Sequence, residues 1–119
     1  MNVMKNIMLV DDDPGILDSV TVMLELGGYN VMSTDNGAQL MNMESDFPDL
    51  ILLDIWISGV DGRDICRHLK ANENTNKIPI VLVSASRDIE ISAVKAGAND
   101  FISKPFEMND LLNKIAKLT

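Results

Sequence analysis

A chain of 119 residues, 46% of them hydrophobic and 24% charged, is long enough for one hydrophobic core and too short for two. Its formal net charge of −8 argues against direct contact with nucleic acid, since a phosphate backbone is gripped by clustered Lys and Arg and the ten present here are scattered. No apolar run approaches the roughly 18 residues of a membrane span. The amino terminus reaches acidic residues too soon for a signal peptide, and a single cysteine, Cys66, excludes an internal disulfide or a multi-cysteine metal site. The expectation is one cytoplasmic domain covering residues 1–119.

Taken in order, Lys5 to Val10 is a short aliphatic strand that runs into Asp11-Asp12-Asp13. Asp13 is the natural N-cap of a helix that admits Pro14 in its first turn. Ile16, Leu17, Val20, Met23 and Leu24 recur at three- and four-residue spacing along that helix until Gly27-Gly28 stops it. A second strand follows at Tyr29 to Thr34, then a turn at Asn36-Gly37 and a short helix from Ala38 to Glu44. Pro48-Asp49 leads into the central strand, Leu50-Ile51-Leu52-Leu53, whose unbroken aliphatic run suits a strand buried on both faces. It ends on a carboxylate, Asp54, followed by a loop that closes at Asp61-Gly62.

Arg63 to Ala71 is a third helix with Ile65, Cys66 and Leu69 turned inward, and Asn72 to Lys77 is a polar loop. Ile80-Val81-Leu82-Val83 repeats the buried-strand pattern and ends at Ser84, ahead of a helix from Asp88 to Ala96 that Gly97 terminates. The fifth strand, Asp100 to Ser103, runs straight into Lys104-Pro105-Phe106. Met108, Leu111, Leu112, Ile115 and Leu118 then form a one-sided stripe on the last helix. Five strands alternating with five helices predict an α/β fold, a parallel sheet covered on both faces with right-handed crossovers.

Parallel strands place Asp11, Asp12, Asp54, Ser84 and Lys104 along one sheet edge, where open α/β folds collect their chemistry. Carboxylates about 4 Å apart repel by on the order of 4 kcal/mol per pair at an effective dielectric of about 20, so a cation must share the site. Hard oxygen donors suit Mg²⁺, with Mn²⁺ a substitute, and Lys104 adds a fixed positive charge. An ionised Asp nucleophile, a divalent ion, a lysine and a hydroxyl are together the parts that phosphoryl transfer to a carboxylate uses. A haloacid-dehalogenase-type phosphohydrolase would need a second Asp two residues after the nucleophile, where this chain has Trp56. A nucleotide- or flavin-binding module would need backbone amides free to cradle phosphate after the first strand, where three acids stand instead.

The stretches Leu9 to Pro14, Pro48 to Asp54, Gly59 to Gly62, Pro79 to Ala85 and Ala96 to Phe106 resemble the receiver domain of two-component response regulators, and the resemblance spans essentially the whole chain. It implies a flavodoxin-like, three-layer (βα)5 fold with strand order 2-1-3-4-5. It implies that Asp54 is the phosphoacceptor, that Asp12, Asp54 and the backbone carbonyl of Trp56 ligate Mg²⁺, and that Asp11 holds a metal-bound water. Ser84 and Lys104 would contact the phosphoryl group, and Phe101 would rotate as Ser84 moves.

The resemblance also implies a phosphohistidine donor, either a sensor histidine kinase or a histidine phosphotransfer protein. Such a donor would dock near Gly15 to Leu17 and the Pro105-Phe106 loop. Output would pass through the fourth helix, fifth strand and fifth helix to a protein target or an attached effector domain. Three positions depart from the usual pattern. Ser58 replaces a proline that stiffens the loop, which predicts a looser loop here; Phe101 lacks the hydroxyl of the frequent tyrosine; and Trp56 is bulky for its place. Trp56 and Ser86 are expected to tune dephosphorylation.

Overall fold

The computed structural model describes residues 4–119, so the part of the leader reading that rests on Met1 to Val3 lies outside the described residues. Its elements, in chain order, are β1 (Asn6–Val10), α1 (Pro14–Leu26), β2 (Asn30–Thr34), α2 (Ala38–Met41), β3 (Leu50–Asp54), β4 (Trp56–Ile57), β5 (Val60–Asp61), α3 (Gly62–Ala71), β6 (Ile80–Ser84), α4 (Ile89–Ala96), β7 (Asp100–Ser103) and α5 (Met108–Leu118). Five strands form one parallel sheet in the order β2-β1-β3-β6-β7, which is the expected 2-1-3-4-5 arrangement.

The unbroken aliphatic runs are explained by where their side chains go. Along β3, Leu50 and Leu52 join Ile7, Leu9, Val81 and Val83 under α1 and α5, while Ile51 and Leu53 join Ile80 and Leu82 under α2, α3 and α4. Successive residues of a strand point to opposite faces, so a strand covered on both sides has no position left for a polar residue until it emerges at its end. The order of the strands reverses between β1 and β3. That reversal opens a crevice at their carboxyl ends, and Asp11, Asp12 and Asp54 stand at its mouth.

The predicted caps form as expected. Asp13 accepts hydrogen bonds from the backbone N–H groups of Gly15 (2.9 Å) and Ile16 (3.4 Å), and Gly97 ends α4 in the left-handed region at φ +79°. Several element starts shift by one residue, and two differences are larger. Helix α2 stops at Met41 rather than Glu44, because only Leu40 on it is fully buried and Asn42 has already left helical geometry. The segment after Asp54, expected as a loose loop, is a closed hairpin in which Trp56 pairs with Asp61 and Ile57 with Val60. Ser58 (φ +49°) and Gly59 (φ +81°) make its turn, a backbone of the kind that matches the twist of two antiparallel strands. Among the described residues no helix is long and apolar enough to cross a membrane.

Candidate functional site

The sheet brings three carboxylates together from two adjacent strands. Oxygen atoms of Asp11, Asp12 and Asp54 all lie within 4.8 Å of one another, and their surroundings differ. Asp11, only 3% exposed, accepts the backbone N–H of Asp13 at 3.0 Å. Asp12 is exposed and accepts the backbone N–H of Ser58 at 2.9 Å, tying the hairpin turn to the end of β1. Asp54 is half-buried at the tip of β3.

Lys104 reaches into this group from the end of β7. Its Nζ donates to Asp11 Oδ2 at 3.0 Å and to Asp54 Oδ2 at 3.3 Å, and its backbone N–H donates to the Ser84 carbonyl at 2.9 Å. Burial opposes the charge on Lys104, but its bonds to the two carboxylates outweigh that and leave the ammonium with a raised pKa. Asp54 is pushed the other way for an acid. Burial first and the charge of Asp11 second raise its pKa, against the partial relief that Lys104 gives. One ammonium therefore faces three carboxylates, and the site as the chain builds it has an excess of negative charge and of hard oxygen donors. That donor set fits a small divalent cation of the Mg²⁺ type.

Ser84 stands at the end of β6, 8% exposed, and its Oγ accepts the backbone N–H of Ser86 at 3.0 Å. No hydrogen bond joins that hydroxyl to Asp54 or to the Lys104 ammonium in this conformation, among the described residues. Ser86 Oγ is engaged with the Asp88 carboxylate. Phe101, half-buried beside the α3/α4 layer, lies with the Lys114 ammonium 5.1 Å from its ring centroid. The hollow between α1 and the turn after β7, about 380 Å³ and lined by Ile16, Val20, Met23, Lys104, Pro105 and Phe106, coincides with the expected docking region.

Asp61 and Gly62, read from sequence only as the close of the loop after Asp54, also shape the site. Gly62 is buried against Asp54, and a Cβ there would collide with the Asp54 backbone carbonyl, so the smallest residue keeps β3 and the start of α3 in contact. Asp61 caps α3 through the backbone N–H of Arg63 at 2.9 Å and also holds the Arg63 guanidinium, Nε at 2.9 Å and Nη2 at 2.7 Å. The fork of Arg63 lies 5.9 Å from the centroid of the Trp56 ring. The Asp61-Gly62-Arg63 run carries an N-cap signal, but the stacking partner two residues past Asp54 is visible only in three dimensions.

Comparison with known proteins agrees with this geometry. The response regulator receiver domain family matches residues 7–116. The chain is 35% identical over 118 residues to the DNA-binding dual master transcriptional regulator RpaA of Synechocystis, covering 97% of this chain and 49% of that protein. It is 37% identical over 114 residues to the phosphate regulon transcriptional regulatory protein PhoB of Pseudomonas aeruginosa, covering 93% and 50%. The chain thus spans about half the length of these relatives.

Among solved structures, the receiver domain of sensor histidine kinase PA1611 from Pseudomonas aeruginosa superposes with a TM-score of 0.88 at 28% identity, covering 98% of each chain; that structure has a magnesium ion coordinated in its active-site cleft. With the family model matching residues 7–116 and relatives of this identity along nearly all of its length, this chain belongs to the response regulator receiver domain family.

Proposed function

We propose that this domain, residues 1–119, accepts a phosphoryl group on Asp54 from a phosphohistidine and switches conformation in response. The observation that carries the reading is the Lys104 ammonium shared between Asp11 and Asp54 within a group of three carboxylates. Asp12, Asp54 and the Trp56 carbonyl would hold Mg²⁺, or Mn²⁺ in its place, with Asp11 holding a water on the ion. When bound, the ion would neutralise charge on the transferring oxygens and so ease the approach of the Asp54 carboxylate to phosphorus.

The chain's own residues supply the rest. Asp54 offers a carboxylate oxygen as nucleophile, kept ionised by Lys104 and by the cation. As the phosphorus–oxygen bond to Asp54 forms, the bond to the donor imidazole breaks and its electron pair returns to the ring nitrogen. Lys104 follows the new negative charge because its two present partners leave its third proton free. Ser84 gives up its contact with the Ser86 N–H and turns its hydroxyl toward the phosphoryl oxygens, and Phe101 moves into the space released. The modified Asp54 carries about −1.5 to −2 charge if it behaves like other phosphorylated side chains, enough to bias a two-state surface.

The donor is a sensor histidine kinase or a histidine phosphotransfer protein that docks over the α1 hollow and the Pro105-Phe106 turn. The response passes through α4, β7 and α5 to a protein target or an effector domain, and any contact with DNA is made by that partner. Such a domain catalyses its own phosphotransfer and dephosphorylation, works in the cytoplasm, and carries no metabolic activity. Incubation with acetyl phosphate and Mg²⁺ tests the proposal by mass spectrometry. The expected result is one added phosphate on Asp54 and none in Asp54→Asn; turnover without a labelled protein, or a label elsewhere, overturns it.

A further inference from the structure

The hairpin after Asp54 carries a polar contact that the phosphoacceptor chemistry does not use. Its register pairs Trp56 with Asp61 and Ile57 with Val60, and one step back from the turn the Gly62 N–H donates to the Ile55 carbonyl. Bonded and non-bonded pairs alternate along an antiparallel ladder, so the pair of Trp56 and Asp61 is the non-bonded one between them. The Trp56 carbonyl is therefore left out of the ladder and faces away from β5.

The turn of this hairpin is anchored to the end of β1. Ser58 donates its backbone N–H to Asp12 Oδ2 at 2.9 Å, and its hydroxyl donates to the Asp35 carbonyl at 3.4 Å. Ser58 does so at φ +49°, a left-handed backbone that a residue with a Cβ adopts only at a cost. Of its two contacts, the one to Asp12 is the shorter, and the charge of the carboxylate strengthens it. A carboxylate engaged in this way is restricted in how it can turn, and Asp12 still offers an oxygen within 4.8 Å of oxygens of Asp11 and Asp54.

We infer that Ser58 is a positioning residue for the cation site: by tying the hairpin turn to Asp12, its N–H holds the Asp12 carboxylate and the Trp56 carbonyl in one arrangement before an ion arrives. The inference rests on the cation site of the function proposed above, and adds to it a residue that does not itself touch the ion. Two ligands on separate elements, a strand end and a hairpin, must otherwise be brought together at the moment of binding, and that ordering subtracts from affinity. Groups that orient metal ligands are typically worth about 10- to 100-fold in affinity. The bond from Ser58 lies at the exposed rim, which favours the lower figure. Linkage makes the relation reciprocal: the factor by which a closed hairpin favours the ion is the factor by which the ion favours a closed hairpin.

The test reads bound metal on the whole domain, with no phosphoryl donor present. Mn²⁺ is titrated into wild type, Ser58→Asn and a semisynthetic protein in which an ester replaces the amide between Ile57 and Ser58, and free Mn²⁺ is counted by its EPR signal. The ester removes one N–H and keeps every side chain, whereas asparagine keeps the N–H and tolerates the left-handed backbone. The ester should bind Mn²⁺ about tenfold more weakly than wild type, and Ser58→Asn within about twofold of it.

Amide hydrogen exchange in EDTA reads the same bond without metal. The Ser58 N–H should exchange about tenfold faster in Asp12→Ala than in wild type, and at the wild-type rate in Asp12→Asn, whose side-chain carbonyl still accepts. Equal Mn²⁺ affinity in the ester and wild type, or Ser58 exchange indifferent to Asp12→Ala, overturns the role assigned to Ser58 while leaving the phosphoacceptor intact. A wild type that binds no Mn²⁺ overturns the underlying cation site instead.

Discussion

Two lysines stand at opposite ends of the same sheet. At the carboxyl edge, Lys104 donates to Asp11 and Asp54. At the amino edge, Lys70 donates to the carbonyls of Ile78 (2.9 Å) and Asn76 (3.3 Å) and to Asn99 Oδ1 (2.7 Å). Both ammonium groups are partly buried, and their pKa values move in opposite directions: Lys104 up, because carboxylates outweigh the penalty of burial, and Lys70 down, because burial meets only neutral oxygens. Lys70 is satisfied and closes a gap between α3 and the starts of β6 and β7. Lys104 is outnumbered by acids and leaves its surroundings with charge still to be balanced. A staple is recognised by completeness, and a reactive centre by what it lacks.

The sharpest way to break this contrast is to remove each lysine. Lys104→Ala should reduce labelling of Asp54 by acetyl phosphate by about 100-fold or more, the typical cost of deleting a preorganised charge-stabilising donor; labelling within a few-fold of wild type would remove Lys104 from the chemistry. Lys70→Met should label normally but lose about 1–3 kcal/mol of stability, because it leaves the carbonyl of buried Ile78 without its donor. In a thermal melt that is a fall of roughly 4–10 °C for a domain of this size.

A third test concerns the excess charge. A raised carboxyl pKa means that the folded state binds the proton more tightly than the unfolded chain, so ionised Asp54 costs stability above its folded pKa, and that cost fades as pH falls through the raised value toward and below the ordinary 3.8. In EDTA at pH 7, Asp54→Asn should therefore melt above wild type by about 2–5 °C. The gap should close in acid and on adding Mg²⁺, and a variant that melts below wild type in EDTA would contradict the charge balance described here.

The smallest effect concerns Cys66, whose thiol donates to the Ala96 carbonyl at 3.4 Å and is pushed up to about 11, by burial first and against the opposing charge of Lys70. At pH 8 it should alkylate only when α3 opens, and Lys70→Met should speed the reaction modestly. Fast alkylation of the native protein would show that the amino edge is not closed.

The same contrast explains what could be read from sequence. Leu50 to Leu53 and Ile80 to Val83 announce strands because both faces of each are buried, and the polar residue that ends each run is therefore conspicuous. Asp11, Asp12, Asp54, Ser84 and Lys104 stand out on those grounds. Lys70 does not. It sits on an ordinary amphipathic helix, and its acceptors at Asn76, Ile78 and Asn99 converge on it only after β6 and β7 have paired. Arg63 was likewise hidden, because nothing in spacing reports that its guanidinium is held by Asp61 beside the Trp56 ring. The hairpin escaped notice because its strands are two residues each, too short for alternation to register, and because its turn relies on a serine rather than the usual Asn-Gly.

The serine in that turn also limits how the sequence can change. Proline has no N–H to give Asp12 and is confined to φ near −65°, whereas Ser58 donates to Asp12 and sits at φ +49°. The proline that the family resemblance suggests at this position is therefore incompatible with the backbone found here. A proline at position 58 would fail unless the turn and the Asp12 contact were rebuilt together, which makes the pair an instance of epistasis between a carboxylate of the acidic crevice and a surface turn.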